Sequence, residues 1–219
     1  MIFLLATNNP NKAREIKPMF ESAGLELITL ADLGLHFEAR EDGNTFAHNA
    51  TQKAAETAAF LKEAVGSMDS HPYSQFLSPF NIAVLADDSG LAVDALDGAP
   101  GVDSALFMGR ETPYAAKCQG LLDMLADVPD DKRTARFICM LVCIFPDGRQ
   151  LLSESTIEGR IAHDICGEGG FGYDPIFYYP PYGKTMAELT QDQKNQISHR
   201  GQAIQQMIGL ITHANFSNK

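Results

Sequence analysis

The sequence predicts an α/β fold on a mixed sheet, and three observations carry that reading. An apolar stretch, Ile2-Phe-Leu-Leu-Ala6, runs through a polar loop into a segment with apolar residues at helical spacing. The Ala-rich segment Phe46 to Val65 has the small side chains that let a helix pack closely against a sheet. Further on, Arg136 to Phe145 and Leu151 to Glu158 are strand-like runs on either side of Pro146-Asp-Gly148, the pattern of an antiparallel hairpin.

The elements follow in order. After the strand Ile2 to Ala6 comes the loop Thr7-Asn-Asn-Pro-Asn-Lys12, and then a helix from Ala13 to Ala23 with Ala13, Ile16, Met19, Phe20 and Ala23 at helical spacing. Leu25 to Leu30 reads as a second strand. Gly66 to Asn81 carries Gly, Pro and Ser without apolar periodicity and reads as a loop insertion within one domain spanning 1–219. A strand Ile82 to Ala86, a turn Asp87-Asp-Ser-Gly90 and an apolar run Leu91 to Leu96 come next. Thr112-Pro113 makes an N-cap and N1 pair for a helix reaching about Val128. Helices from Thr185 to about Gln196 and from Gly201 to about His213 close the chain.

A chain of 219 residues that is 45% hydrophobic can bury a substantial core. It has no run of about eighteen apolar residues, and Met1 to Ala6 is too short for a signal segment, so a cytoplasmic location is expected. Cys118, Cys139, Cys143 and Cys166 lack metal-binding spacing, and the even separation of Cys139 and Cys143 suits buried thiols on one strand face. Seventeen basic residues against twenty-eight acidic ones give a net charge of -11, which argues against nucleic-acid and anionic-membrane partners. A small phosphorylated substrate remains compatible if local cations and a metal offset that charge.

Two nucleotide signatures occur in fragments and fail on context. Gly167-Glu-Gly-Gly-Phe-Gly172 matches G-x-G-x-x-G but runs into Tyr173-Asp174-Pro175 instead of opening a helix. Gly183-Lys184-Thr185 resembles the end of a P-loop, yet Tyr-Pro-Pro-Tyr before it is too stiff to wrap a phosphate.

Three other segments are chemically suggestive. Adjacent carboxylates Asp87 and Asp88 at the end of an apolar strand are costly unless compensated, either by Mg²⁺ or by the hydrogen bonds of an Asp-Ser-Gly turn. Thr7 to Lys12 connects a strand to a helix, where backbone N–H groups and Lys12 can converge on an anion; alternatively it is an Asn-rich connection capped by Asn11. Ser198-His199-Arg200-Gly201 opens the last helix with two basic side chains that suit oxygen acceptors, or that form a solvated surface pair.

Taken in order, the segments Thr7 to Lys12, Ala86 to Leu91, Gly98 to Gly101, Gly169 to Phe177 and Ser198 to Ala203 resemble the motifs of the inosine/xanthosine triphosphate pyrophosphatase family. The resemblance implies an elongated α/β fold whose central mixed twisted sheet, flanked by helices, divides into two lobes with the active cleft between them. It also implies a homodimer. It assigns proton acceptance and metal ligation to Asp88, with Mg²⁺ as cofactor and Mn²⁺ as a substitute. Substrate binding is implied for Thr7, Asn8, Asn9, Asn11, Lys12, Ser89, Phe171, Gly172, Tyr173, Asp174, Lys194, His199 and Arg200, with a purine nucleoside triphosphate as the small-molecule partner.

The chain departs from the family pattern at two places. Arg40-Glu41-Asp42-Gly43-Asn44-Thr45-Phe46 keeps one member of a usual acidic pair, so Glu41 is the candidate to assist the metal beside Asp87 and Asp88. His48-Asn49-Ala50 stands where Glu-Asn-Ala is usual. The expected reaction is water attack at the α-phosphorus of ITP, dITP or XTP, releasing pyrophosphate, with Asp88 taking the proton. A nucleotide sensor without turnover is the alternative suggested by the missing carboxylates.

Overall fold

The computed structural model describes residues 1–65 and 81–216; the insertion expected at 66–81 therefore lies almost wholly outside the described residues. Seven strands form one mixed sheet in the order β2-β1-β3-β4-β5-β6-β7. They are β1 (Ile2–Leu5), β2 (Leu27–Thr29), β3 (Ile82–Val93), β4 (Thr134–Ile144), β5 (Gln150–Ile161), β6 (Phe177–Tyr179) and β7 (Lys184–Thr185). The α-helices among the described residues are α1 (Pro10–Ser22), α2 (Phe46–Val65), α3 (Tyr114–Met124), α4 (Gln191–Ile197) and α5 (His199–Phe216).

The chain forms two compact units. The first comprises Met1–Asp88, Met140–Glu154 and Ala203–Lys219, and the second Ser89–Cys139 and Ser155–Gln202. In the first, β1 pairs in parallel with β2 on one side and β3 on the other, which explains why all four of its residues are apolar and buried. Its core gathers Leu4, Val84 and Val142 with Ala50, Ala54 and Leu61 of α2, where the alanines permit close approach. The chain runs from β1 to β2 on one side of it and later to β3 on its other side. The carboxyl end of β1 is thus a topological switch point, the usual ligand position in open α/β sheets, and Thr7 to Lys12 lie there.

In the second unit Leu91, Val93, Leu121, Ile157, Ile176, Phe177 and Met186 build a separate core. The hairpin of β4 and β5 is antiparallel, since Phe145 N donates to Arg149 O at one end and Ile161 N to Arg133 O at the other, both at 2.9 Å. Alternate residues of β5 are buried and exposed, the pattern of a strand with one wet face.

Several boundaries differ from the sequence expectation. The Asp87-Asp-Ser-Gly90 turn does not exist: β3 continues through it, because lysine side chains compensate the carboxylates in place. α1 starts at Pro10 and its cap is Asn9 instead of Asn11, as proline at the first helical position loses no hydrogen bond. β2 shrinks to Leu27–Thr29 because Leu25 N still donates to Phe20 O, closing α1, and Leu30 leads into a 3-10 turn. α3 covers only Tyr114–Met124, with Pro113 before it and the Thr112 hydroxyl donating to Met108 O at 2.6 Å. Thr185 heads a 3-10 turn, Met186–Glu188, closed by its own capping box, and a second box, Thr190 with Gln193, starts α4. α5 begins at His199 because Ser198 caps it, its hydroxyl accepting from Gly201 N at 3.0 Å. The short strands β6 and β7 were not expected.

Cys139 and Cys143 are buried on β4, Cys118 is buried on α3, Cys166 is exposed, and all four are free thiols. Among the described residues no helix is long and apolar enough to cross a membrane.

Candidate active site

The first unit contributes a cluster of alternating charges around the end of β3. Asp87 and Asp88 are successive residues of an extended strand, so their side chains leave on opposite faces. The Asp87 carboxylate pairs with Lys12 of α1, which also donates to the Asp87 carbonyl at 3.3 Å. Lys53 of α2 donates to that same carbonyl at 3.1 Å, pairs with Glu41, and stands 3.9 Å from Asp88 Oδ1. Asp88 Oδ2 is buried without a hydrogen-bond partner among the described residues. Burial pushes the Asp88 carboxyl above its ordinary range; Lys53 and then Lys12 oppose that rise, while Glu41 and Asp87 add to it.

In the loop after β1, the Thr7 hydroxyl accepts from Asn9 N at 3.1 Å, and Asn9 Oδ1 accepts from Asn11 N at 2.9 Å and Lys12 N at 3.4 Å. Asn8 Nδ2 donates to Phe37 O at 3.0 Å. The amides expected to face an anion are thus engaged by Thr7 and Asn9, and the Lys12 ammonium is what the segment brings to Asp87.

The second unit assembles the other candidates around Phe171. Asp174 Oδ2 accepts from Phe171 N at 2.7 Å and pairs with Lys194 Nζ at 2.5 Å, both side chains being only 3% exposed. Lys194 and Arg200 both lie over the Phe171 ring, at 4.8 and 5.3 Å from its centroid. Arg200 Nη2 donates to the Ser89 hydroxyl at 2.7 Å. The buried His199 ring stacks on Phe137 at 4.7 Å. The expected solvated pair at the start of α5 is therefore ruled out, since His199 and Arg200 are buried.

Gly170 and Gly172 have φ of 69° and 68°, and a Cβ on Gly170 would run into the Asp174 carboxylate, so the turn needs glycine there. Tyr173 is buried beneath the turn: its hydroxyl donates to Ser104 O at 2.8 Å and its ring meets Tyr114 edge-on. It supports the turn, as does Cys118 beneath the Gly172 carbonyl.

Sequence reasoning missed Lys53. Its signal was present: Asn49, Lys53 and Thr57 recur every four residues on α2, the spacing of one helix face, and Asn49 and Thr57 are buried. Ser104 and Lys117 were missed too. Ser104 Oγ accepts from Leu91 N at 2.9 Å, and buried Lys117 donates to Ala105 O at 2.6 Å. Neither announces itself by periodicity.

Among the described residues no group of three or more His, Cys, Asp or Glu side chains is arranged to hold a metal. Asp87 turns to Lys12 while Glu41 and Asp88 flank Lys53. The orphaned Asp88 Oδ2 fits a hard cation, because Mg²⁺ commonly takes one or two carboxylates and completes its shell with water and substrate phosphates.

The sequence model of the Ham1 family matches residues 3–210. The chain belongs to the Ham1 family. It is 42% identical to a dITP/XTP pyrophosphatase of Desulforamulus reducens over 96% of both chains, and 40% identical to one of Clostridium perfringens over 94% of both. Among solved structures, the Staphylococcus aureus Ham1 protein superposes with a TM-score of 0.79 at 34% identity, covering 98% of this chain and 100% of that one. A nucleoside-triphosphatase / dITP/XTP pyrophosphatase of Mycobacterium abscessus gives 0.68 at 39% identity, covering 94% and 98%. The five motifs quoted above all lie within the stretch that matches the Ham1 family.

Proposed function

We propose that this protein hydrolyses non-standard purine nucleoside triphosphates, ITP, dITP and XTP, to the monophosphate and pyrophosphate, removing them from the cytoplasmic nucleotide pool as a homodimer. The observation that carries the reading is Asp88: a buried carboxylate with one unpartnered oxygen, its pKa raised, and two lysines close by. Burial strengthens the pull of such a carboxylate on a proton, which suits a base. The names of the relatives point to dITP and XTP.

Water attacks the α-phosphorus, the bond to the bridging oxygen breaks, pyrophosphate leaves, and Asp88 takes the proton from the water. Mg²⁺, held by Asp88 with Glu41, would supply positive charge against the phosphates and acidify water, while Asp87, on the other face of β3, holds Lys12. Lys12 and Lys53 offer ammonium groups to the phosphate oxygens as Asp87, Glu41 and Asp88 exchange them. The purine is assigned to the Phe171 turn, where Lys194, His199 and Arg200 supply donors to a C6 carbonyl and Phe171 a stacking face.

The deciding assay supplies ITP, dITP, XTP, GTP and ATP with Mg²⁺ and reads pyrophosphate and orthophosphate separately. Pyrophosphate from ITP and XTP, none in excess EDTA, and little product from ATP are expected. Orthophosphate as first product, or full activity in EDTA, refutes the reading.

A further inference from the structure

The segment carrying Glu41 is fastened to α2 on both sides of that residue. On one side Glu56 accepts from Arg40 N at 3.0 Å and Arg40 Nε at 2.8 Å, with Arg40 Nη2 at 2.7 Å. Gln52, one helical turn before Glu56, donates to the same carboxylate at 3.1 Å. The Arg40 backbone N–H first, then Gln52 and the Arg40 side chain, hold the Glu56 carboxyl below its ordinary range. On the other side Gly43 N donates to Asn49 Oδ1 at 2.8 Å, and a Cβ on Gly43 would come within 2.6 Å of the His48 ring. Only glycine brings the backbone that close to the helix.

Between these fastenings Glu41 reaches Lys53, the lysine that stands beside Asp88. The Glu41 side chain is itself 44% exposed, so its place is set by the backbone on either side of it. Arg40 acts here as an anchor.

We propose that Glu56, through Arg40, is a positioning residue that holds Glu41 where it can share a divalent cation with Asp88. The proposal rests on the pyrophosphatase reading only for what that cation serves.

The test uses the full-length, metal-free protein as wild type, Glu56→Ala, Glu56→Gln and Arg40→Ala, with Lys17→Ala as a control that breaks the exposed Lys17–Asp32 pair. Three quantities are read: amide exchange at residues 40 to 43, Mn²⁺ binding by the electron-spin signal of the free ion, and the thermal midpoint. Glu56→Ala should speed exchange at Arg40 and weaken Mn²⁺ binding about tenfold, the scale typical of groups that orient a ligand, at an unchanged midpoint. Glu56→Gln keeps an acceptor for the Arg40 N–H and should fall in between, while Lys17→Ala should match wild type. Wild-type Mn²⁺ affinity in Glu56→Ala, affinity that falls only together with the midpoint, or a wild-type protein that binds no Mn²⁺ would each overturn the proposal. Altered Mn²⁺ binding in a protein that releases no pyrophosphate from ITP would instead remove the functional reading and leave the role of Glu56 standing.

Discussion

Lys53 Nζ stands 3.9 Å from Asp88 Oδ1, while the other oxygen of that carboxylate is buried without a hydrogen-bond partner among the described residues. One oxygen is thus balanced by a cation and the other is left for a ligand.

Asp88→Asn should cut turnover by about two or more orders of magnitude with the fold intact, since an amide can neither take the proton nor bind a cation as well. Single-turnover kinetics on ITP with the circular dichroism of the variant checks this. Glu41→Gln should lose less; a loss equal to that of Asp88→Asn would place the two carboxylates on equal terms.

The same variant carries a stability signature. A carboxyl whose folded pKa is raised contributes stability that is present below its unfolded pKa of about 3.9 and is lost as pH rises through the folded value. Without metal, Asp88→Asn should therefore be the more stable protein at pH 7, and its advantage should vanish near pH 3.5. Thermal midpoints across that range decide the point, and a variant less stable at pH 7 would contradict it.

Asp174 and Lys194 form a buried ion pair, so removing one partner leaves a buried charge uncompensated. Lys194→Met should destabilise by about 3–5 kcal/mol in urea unfolding, and Asp174→Asn added to it should recover much of the loss. Additive losses in the double variant would show that the two do not act as a pair.

Base selectivity provides a further test. Donors that meet the C6 carbonyl of hypoxanthine face an amino group in adenine, and an unpaired buried polar group can discriminate by about four orders of magnitude. Arg200→Ala should lower kcat/KM for ITP more than for ATP. An unchanged ITP to ATP ratio would move Arg200 from the base to the phosphates.

Burial raises the Cys118 thiol to about 11 and the Cys143 thiol to about 12, so both are protonated at pH 8, and Cys139 is fully buried. Only Cys166 is exposed. A disulfide reagent should release one fast equivalent from the native protein and four after denaturation, and Cys166→Ser should abolish the fast one.

A continuous apolar run made β1 legible, and apolar patterning did the same for α2 and the β4–β5 hairpin, since each of these buries a long face that imprints its period on the sequence. β6 and β7, with three and two residues, are too short to leave a period. The continuation of β3 through Asp87 and Asp88 was hidden because the compensating charges, Lys12 and Lys53, lie 75 and 34 residues away from Asp87 in the chain. Site residues within contiguous motifs, such as Asp174 and Arg200, could be named from the sequence. Their partners could not: the hydroxyl of Tyr173 goes to Ser104, and Arg200 reaches Ser89 across 111 positions.

The extended course of β3 makes the difference between Asp87 and Asp88 a matter of odd and even. Inserting or deleting a single residue between Ile82 and Ala86 would change no chemical group, yet it would swap the faces on which the two carboxylates emerge. The lysine on α1 would then meet the wrong aspartate. This short stretch should tolerate exchanges among valine, isoleucine and leucine far better than any change in its length.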